Sequence, residues 1–481
     1  MDKIEIQPLN ITDAYMTYFF PFSFREKERK ELMAQLEKNH YTFFTLDNEE
    51  LQDKYYGENI NISNEELDQF FLPFIEDKLF PPSIKNRGFL RYSKVIKDTF
   101  VYEVHDNTLN FIINSMDIVL CPFGIGIITI RVAMDQERET LTNLLDCIDH
   151  FCVLEPKLPK DKGAKIHHDG KVFNNTNELV FDYICLPLKP YIIHNDKLAG
   201  YYGSLPYFED ERMYTSVFLI ADDKTEITKD QLFRLAHLDG KDIDGNAFIS
   251  SSNPEYVNRY VDERIHDRWA PHTYTISSEH TQVTISNKKK EQLKQSVSQF
   301  MSVHYYNLML HYYYKIILLK VSYEHSEVSW AKDKRYVEEL IELISKFYSR
   351  YYFEEVSART EGKELTQKLR EVFRLQDLFA EVRQTVDDLY KAQNNQASKR
   401  RNSLLFMLTI FTVVSGIYGM NLVIEDWKGK TDWSKVPGYS FFEWISLITA
   451  LTGIGLAIAI IGYTTCKGIY DRYRKWKRDK S

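Results

Sequence analysis

Residues 415–421 read Ser415-Gly416-Ile417-Tyr418-Gly419-Met420-Asn421 and lie at the end of an uncharged apolar run over residues 404–424. A second run of the same kind covers residues 444–466, with a short polar loop at 425–443 between them. Each run exceeds the roughly 20 residues that a helix needs to cross a hydrocarbon core about 30 Å thick. The flanks agree with insertion. Lys399, Arg400 and Arg401 precede the first run, and Lys467, Arg472, Arg474, Lys475, Lys477, Arg478 and Lys480 follow the second. The loop balances Glu425, Asp426 and Asp432 against Lys428, Lys430 and Lys435. The excess of Lys and Arg on one side predicts a multi-pass protein of the inner (plasma) membrane with both termini cytoplasmic. Trp427, Trp433, Tyr439 and Trp444 suit the outer interface.

Upstream of the first run, Leu365, Leu369, Val372, Leu375, Phe379, Val382, Val386 and Leu389 recur at spacings of three and four. That period places them on one helical face, as in a packed bundle, and a helix packed within its own subunit gives the same pattern. No proline interrupts the chain between Pro271 and Pro437. An unbroken helix from 363 to 421 would be ~90 Å long. Residues 361–403 therefore read as a stalk that feeds a pore helix at 404–424. Residues 289–360 read as a helical bundle, with helices over 290–323 and 333–355. The first of these carries Tyr305, Tyr306, Tyr312, Tyr313 and Tyr314. His304, Asn307, His311 and Lys315 make it a buried helix rather than a third span.

The first 288 residues read as a mixed α/β regulatory domain on the cytoplasmic side. Strands are expected at 41–46, 100–105, 109–114 and 213–221, with two more meeting near Pro122-Phe123-Gly124 and a hairpin over 273–286. Helices are expected at 25–38, 64–71 and 138–151, and a long loop over 155–177. The expected fold is thus an α/β N-terminal domain, a long helical stalk, two C-terminal transmembrane helices and a basic tail at 467–481.

Charge is divided unevenly. Residues 399–481 hold thirteen basic and six acidic side chains; the whole chain carries −8, so residues 1–398 carry −15. An acidic body argues against direct nucleic-acid binding and suits a cation-handling protein. The five cysteines form no CxxC pair and read as free buried thiols. Asp242-Ile243-Asp244-Gly245 lacks ligands at the first and twelfth positions of a calcium loop and reads as a turn. His167-His168-Asp169 has no spaced partner for a metal. Gly124-x-Gly126 lacks the third glycine of a dinucleotide site. With no nucleophile motif and no P-loop, an enzyme is not expected.

The chemistry of the 415–421 segment centres on Asn421. Mg²⁺ keeps six oxygen ligands and dehydrates reluctantly. A ring of neutral amides can hold the hydrated ion without binding it too tightly to leave. Gly419 allows close backbone approach, and Tyr418 and Met420 brace the segment. Counting back by helical turns gives the pore-facing stripe Gly416, Thr412, Thr409, Leu405, Asn402, Ser398 and Asn395, in which Leu405, with Leu408 beside it, is expected to form a hydrophobic constriction. The alternatives are a small-residue packing face at Gly416 and Gly419, and Thr409 and Thr412 bonding back onto their own helix.

Tyr418-Gly419-Met420-Asn421, at the end of the first of two C-terminal apolar runs after a long helical segment, resembles the CorA-like divalent-cation transporter superfamily, whose mark is Gly-Met-Asn in that place. The resemblance implies a homopentameric funnel in a lipid bilayer, gated by its cytoplasmic domain. It also implies Mg²⁺ as the transported and regulatory ion, with Asn421 meeting the hydrated cation and residues 418–421 as selectivity filter. The outer loop departs from the family pattern in not being acidic. The enlarged soluble part also resembles the CorA-like effectors encoded beside type III CRISPR systems, which act in antiviral defence. That branch implies control by a nucleotide second messenger, an adenylated S-adenosylmethionine. A further alternative is a membrane-anchored enzyme or sensor.

Overall fold

The computed structural model describes residues 4–455 except 47–53, 58–59, 87, 105–106, 155–164, 194–211, 224, 327–333, 420–432, 446, 450 and 453–454. Two compact units are present, Met1–Val386 and Asp387–Ser481.

The first unit is built on one twelve-stranded sheet. Its strands are β1 (Asn10–Ser23), β2 (Thr42–Phe43), β3 (Leu90–Val104), β4 (Asn107–Leu120), β5 (Ile125–Met134), β6 (Glu139–Thr140), β7 (Lys165–His168), β8 (Lys171–Phe173), β9 (Tyr214–Ala221), β10 (Ile265–His266), β11 (Thr273–Ser277) and β12 (Thr281–Ser286). The order across the sheet is β10-β11-β12-β9-β1-β5-β4-β3-β7-β8, with β2 on β3 and β6 on β1. β9 and β12 pair in parallel, while β1 pairs antiparallel with β5 and with β9.

The α-helices are α1 (Arg29–Lys38), α2 (Asn64–Phe70), α3 (Pro73–Leu79), α4 (Leu141–Cys152), α5 (Thr176–Leu179), α6 (Lys229–His237), α7 (Pro254–Arg264), α8 (Lys294–Gln299), α9 (Tyr305–Ser326), α10 (Lys334–Arg350), α11 (Thr360–Val372) and α12 (Leu375–Gly419). A π-helical turn, Phe300–His304, joins α8 to α9. The sheet is covered on both faces, which the alternation of β1 makes visible. Tyr18 meets Phe151 of α4 at 4.7 Å between ring centres, while its neighbour Phe19 meets Tyr305 of α9 at 5.5 Å. Burial on both faces explains why β1 reads as a continuous run rather than an alternating one. Pro21 is tolerated because β9 pairs only as far as Phe19; beyond that β1 has one partner, β5.

Several local expectations are met. The hairpin over 273–286 is β11–β12, residues 213–221 contain β9, and β4 and β5 meet at the turn Pro122–Gly124. That turn needs its glycine. Gly124 has φ +68, and a Cβ there would lie 2.6 Å from the carbonyl oxygen of Phe24. The aromatic-rich segment is helical and buried, with Tyr306, Tyr313 and Tyr314 among the largest fully buried side chains. Within the expected loop over 155–177, the β7–β8 hairpin and the first turn of α5 are present.

The helix expected to run unbroken from 363 is in two pieces. α11 ends at Val372, Arg374 takes the left-handed conformation at φ +52, and α12 begins at Leu375. With neither glycine nor proline at the break, spacing alone carried the apolar pattern across it.

The expected fold class is corrected here. In place of an α/β domain followed by a stalk, two transmembrane helices and a homopentameric funnel, the protein has a large mixed sheet covered by helices. Among the described residues no helix is long and apolar enough to cross a membrane, and no described feature indicates a pentamer. The physical reason lies in α12. Its described apolar stretch covers Leu404 to Gly419, after Lys399-Arg400-Arg401, and residues 420–432 lie outside the described residues. That described stretch is ~24 Å long at ~1.5 Å per residue, short of a hydrocarbon core of about 30 Å. The second expected span, 444–466, lies largely outside the described residues. Assignment as a membrane protein with transmembrane helices, and localisation as a multi-pass inner-membrane protein, are withdrawn on the same finding.

Candidate functional site

Two places in the first unit concentrate polar chemistry. One is sealed inside the sheet and the other is an open groove at the α11–α12 break.

The sealed cluster comes from three adjacent strands. Arg91 on β3, Asp117 on β4 and Arg131 on β5 are all essentially inaccessible to solvent. Asp117 accepts from Arg131 Nη1 at 2.5 Å and lies 3.0 Å from Arg91 Nε. Arg91 also donates to Ser93 Oγ at 2.9 Å, and to the hydroxyls of Tyr56 and Tyr306 at 2.9 and 2.6 Å. The Arg131 guanidinium lies 4.5 Å from the Tyr305 ring centre and 4.9 Å from that of Tyr56. Its Nε and Nη2 have no hydrogen-bond acceptor among the described residues, so contact with aromatic faces stands in for one. Burial alone would raise the Asp117 carboxyl, but Arg131 and Arg91 together hold it below the usual carboxylate range. The cluster clamps α9 to the sheet, since two of its tyrosines belong to that helix. All three charged side chains are sealed from solvent, so it reads as a structural lock.

The groove has a volume of about 550 Å³, within the range of small-ligand sites. Its basic side chains are Lys363 and Arg370 on α11 and Arg374 at the break. Glu354 and Glu355 from the segment before α11, Glu371 on α11 and Asp377 on α12 oppose them. Arg370 is held in place: Nη2 donates to the Phe353 carbonyl at 2.8 Å, and the guanidinium sits 5.4 Å from the Tyr352 ring centre. Its buried Nε has no partner among the described residues. Arg374 pairs with Asp377 at 2.9 Å across the break. Thr366 is tied to α9 through Asn307 Oδ1 at 3.1 Å. On the α12 side, Phe379 stacks on Tyr352 at 4.7 Å and meets Tyr348 at 4.5 Å. Movement of the first turns of α12 would therefore be felt at the groove. The groove lies after residues 1–288, the part read from sequence as the regulatory domain. The only signal for it was the mixed charge of 354–377, which also describes any solvated helix face.

The residues singled out near Asn421 fall on or beyond α12. Gly416, Tyr418 and Gly419 are in its last turn, while Met420 and Asn421 lie outside the described residues. Thr412, Thr409, Leu405, Asn402 and Asn395 are exposed along α12, and Ser398 is half-exposed. Thr409 Oγ1 donates to the Leu405 carbonyl and Thr412 Oγ1 to that of Leu408, each at 2.8 Å. Both hydroxyls are thus bonded back onto their own helix. The apolar side chains around them are bare. Leu404 is 60% exposed, Phe406 68% and Leu408 66%.

Other motifs resolve into structure. Asp242 Oδ1 accepts from the backbone N–H of Asp244 and of Asn246 at 3.0 and 2.8 Å, which makes the acidic tripeptide a turn. His167 pairs with Glu103 at 2.9 Å, while His168 stacks on Phe100, consistent with adjacent strand positions facing opposite ways. Among the described residues no group of three or more His, Cys, Asp or Glu could hold a metal ion.

No family model, no curated protein and no solved structure matches the chain.

Proposed function

We propose that this chain is a non-catalytic, divalent-cation-handling protein of CorA-like kind. Asn421 meets the hydrated ion, and residues 1–386 act as the controlling body. The observation that carries the reading is the continuity of α12. One helix runs from Leu375 and Val382, which are buried, to Gly419, the residue before Met420-Asn421. Its first turns belong to the compact unit of residues 1–386, and the triplet follows its last described residue. In a self-associated state, one Asn421 per copy supplies a ring of amide oxygens suited to Mg²⁺ with its water shell intact. Such a ring needs no helix that crosses a bilayer; it needs only that copies bring their triplets together. The bare apolar side chains of residues 404–411 support self-association, because a contiguous exposed patch of this kind marks an interaction surface.

The test is Mg²⁺ binding to the full-length protein by calorimetry, beside Asn421→Ala. The variant is expected to bind at least about tenfold more weakly, a loss of ~1.4 kcal/mol, with its melting unchanged. Equal binding by the two proteins overturns the reading. Repeating the titration with adenylated S-adenosylmethionine separates intrinsic cation binding from control by a nucleotide second messenger. Binding that appears only with the nucleotide favours the latter.

A further inference from the structure

We propose that the groove at the α11–α12 break binds a small molecule of about dipeptide size that carries both a cationic and an anionic group, and that the bound molecule fixes the angle between the two helices.

A volume of about 550 Å³ exceeds what one ion or one amino acid fills and falls within the range of small-ligand sites. Three basic and four acidic side chains line the groove, so a polyanion meets Glu354, Glu355, Glu371 and Asp377, and a polycation meets Lys363, Arg370 and Arg374. Each is repelled by half of the wall. A molecule of both signs is matched by both halves. A bare metal ion is disfavoured, since no cluster of three or more ligating side chains is present among the described residues.

The anionic end has a ready receptor in Arg370. Its guanidinium is fixed by the Phe353 carbonyl and the Tyr352 ring, and the residue lines the groove. A donor already held in position loses little freedom on binding. The cationic end has Glu354, which is exposed and forms no hydrogen bond or ion pair among the described residues. Lys363 and Glu355, 3.7 Å apart, form a loose pair that a ligand can enter.

The mechanical consequence follows from where the lining belongs. Val356 is pinned to the segment after α2, where its carbonyl accepts from the Leu72 N–H at 3.1 Å. Gln376 and Asp377 are on the first turn of α12. A molecule that touches both sides spans the break at Phe373–Arg374. Differential binding to one bend angle is what shifts such an equilibrium. The proposal is independent of metal-ion handling, and its readout involves no metal ion.

Thermal melting and calorimetry of the full-length protein with three dipeptides test it: lysyl-glutamate, glutamyl-glutamate and lysyl-lysine, at equal ionic strength. Only lysyl-glutamate is expected to bind and to raise the Tm, by about 2 °C or more at saturation. Gln367→Trp, at an exposed position in the groove, fills the space and removes the shift while leaving the unliganded Tm in place. Glu354→Lys turns the preference towards glutamyl-glutamate. Spin labels at Thr360 and Arg383, both exposed, are expected to give a narrower distance distribution with lysyl-glutamate bound. The proposal is overturned if lysyl-glutamate does not bind, if all three dipeptides bind alike, or if Gln367→Trp retains the shift.

Discussion

Replacing Asp117 by asparagine is the sharpest perturbation of the sealed cluster. The carboxylate is shared by two buried guanidinium groups, Arg131 Nη1 at 2.5 Å and Arg91 Nε at 3.0 Å. The cluster holds two positive charges and one negative one. Asp117→Asn leaves two cations in a dry interior facing a neutral amide. Breaking a buried pair in this way costs about 3–5 kcal/mol. Removing the excess cation instead, by Arg131→Met, leaves Asp117 balanced by Arg91. That loss is smaller, about 1–2 kcal/mol, from hydrogen bonds and the stack between Tyr56 and Tyr305. The assay is urea denaturation of both variants beside the parent, with stability taken from the midpoint at unchanged slope. A loss below about 1 kcal/mol for Asp117→Asn, or a larger loss for Arg131→Met than for Asp117→Asn, refutes the reasoning. The pH dependence has a definite sign. Asp117 is held below the usual carboxylate range in the folded state. Its contribution is therefore complete above an unfolded pKa of about 3.9 and is lost as the pH falls through the lower folded value.

Three further outcomes follow from local geometry. Gly124→Ala forces a Cβ to within 2.6 Å of the Phe24 carbonyl at φ +68 and should cost at least about 2 kcal/mol in the same denaturation assay. His311 is buried, so its imidazole pKa is pushed down to about 3. The unfolded chain takes up that proton below about 6.5, so stability rises with pH between about 3 and 6.5 and then levels off; NMR should find this ring neutral at pH 5. Asn253 caps α7 by accepting from the N–H groups of Glu255 and Tyr256, and Asn253→Ala should lower stability by about 1 kcal/mol.

Local elements were legible where a short stretch carries its own signal. The alternation over 273–286 gave the hairpin, and the dense aromatics of 305–314 gave a buried helix. What stayed hidden depends on distant partners. β1 was missed because Asp13 and Pro21 interrupt it and because a strand buried on both faces loses its alternation. Arg91, Asp117 and Arg131 have no spacing that links them; register alone brings them together, Arg91 beside Val119 and Asp117 opposite Thr129. The break at Arg374 was invisible because an arginine, not a glycine, takes the left-handed conformation. The apolar run at 404–424 was read as a span on composition; α12 carries it as far as Gly419, and the rest lies outside the described residues. For the site, residues 416–421 rest on the sequence motif, whereas the groove at 354–377 could be found only once the chain was folded.

The position of β1 in the sheet has a consequence for how the protein is made. It is made before the other strands of the sheet, yet its two long partners, β5 and β9, begin at Ile125 and Tyr214. At a synthesis rate of about 5–20 residues per second, the part of β1 from Tyr15 to Phe19 waits ~10–40 s before both its edges can be paired. Throughout that interval the nascent chain displays an aromatic strand with open hydrogen-bonding edges, the surface most prone to pairing with another copy. Yield of native protein should therefore depend on the rate of translation between residues 23 and 221 and on holdase chaperones, more than on the stability of the finished fold.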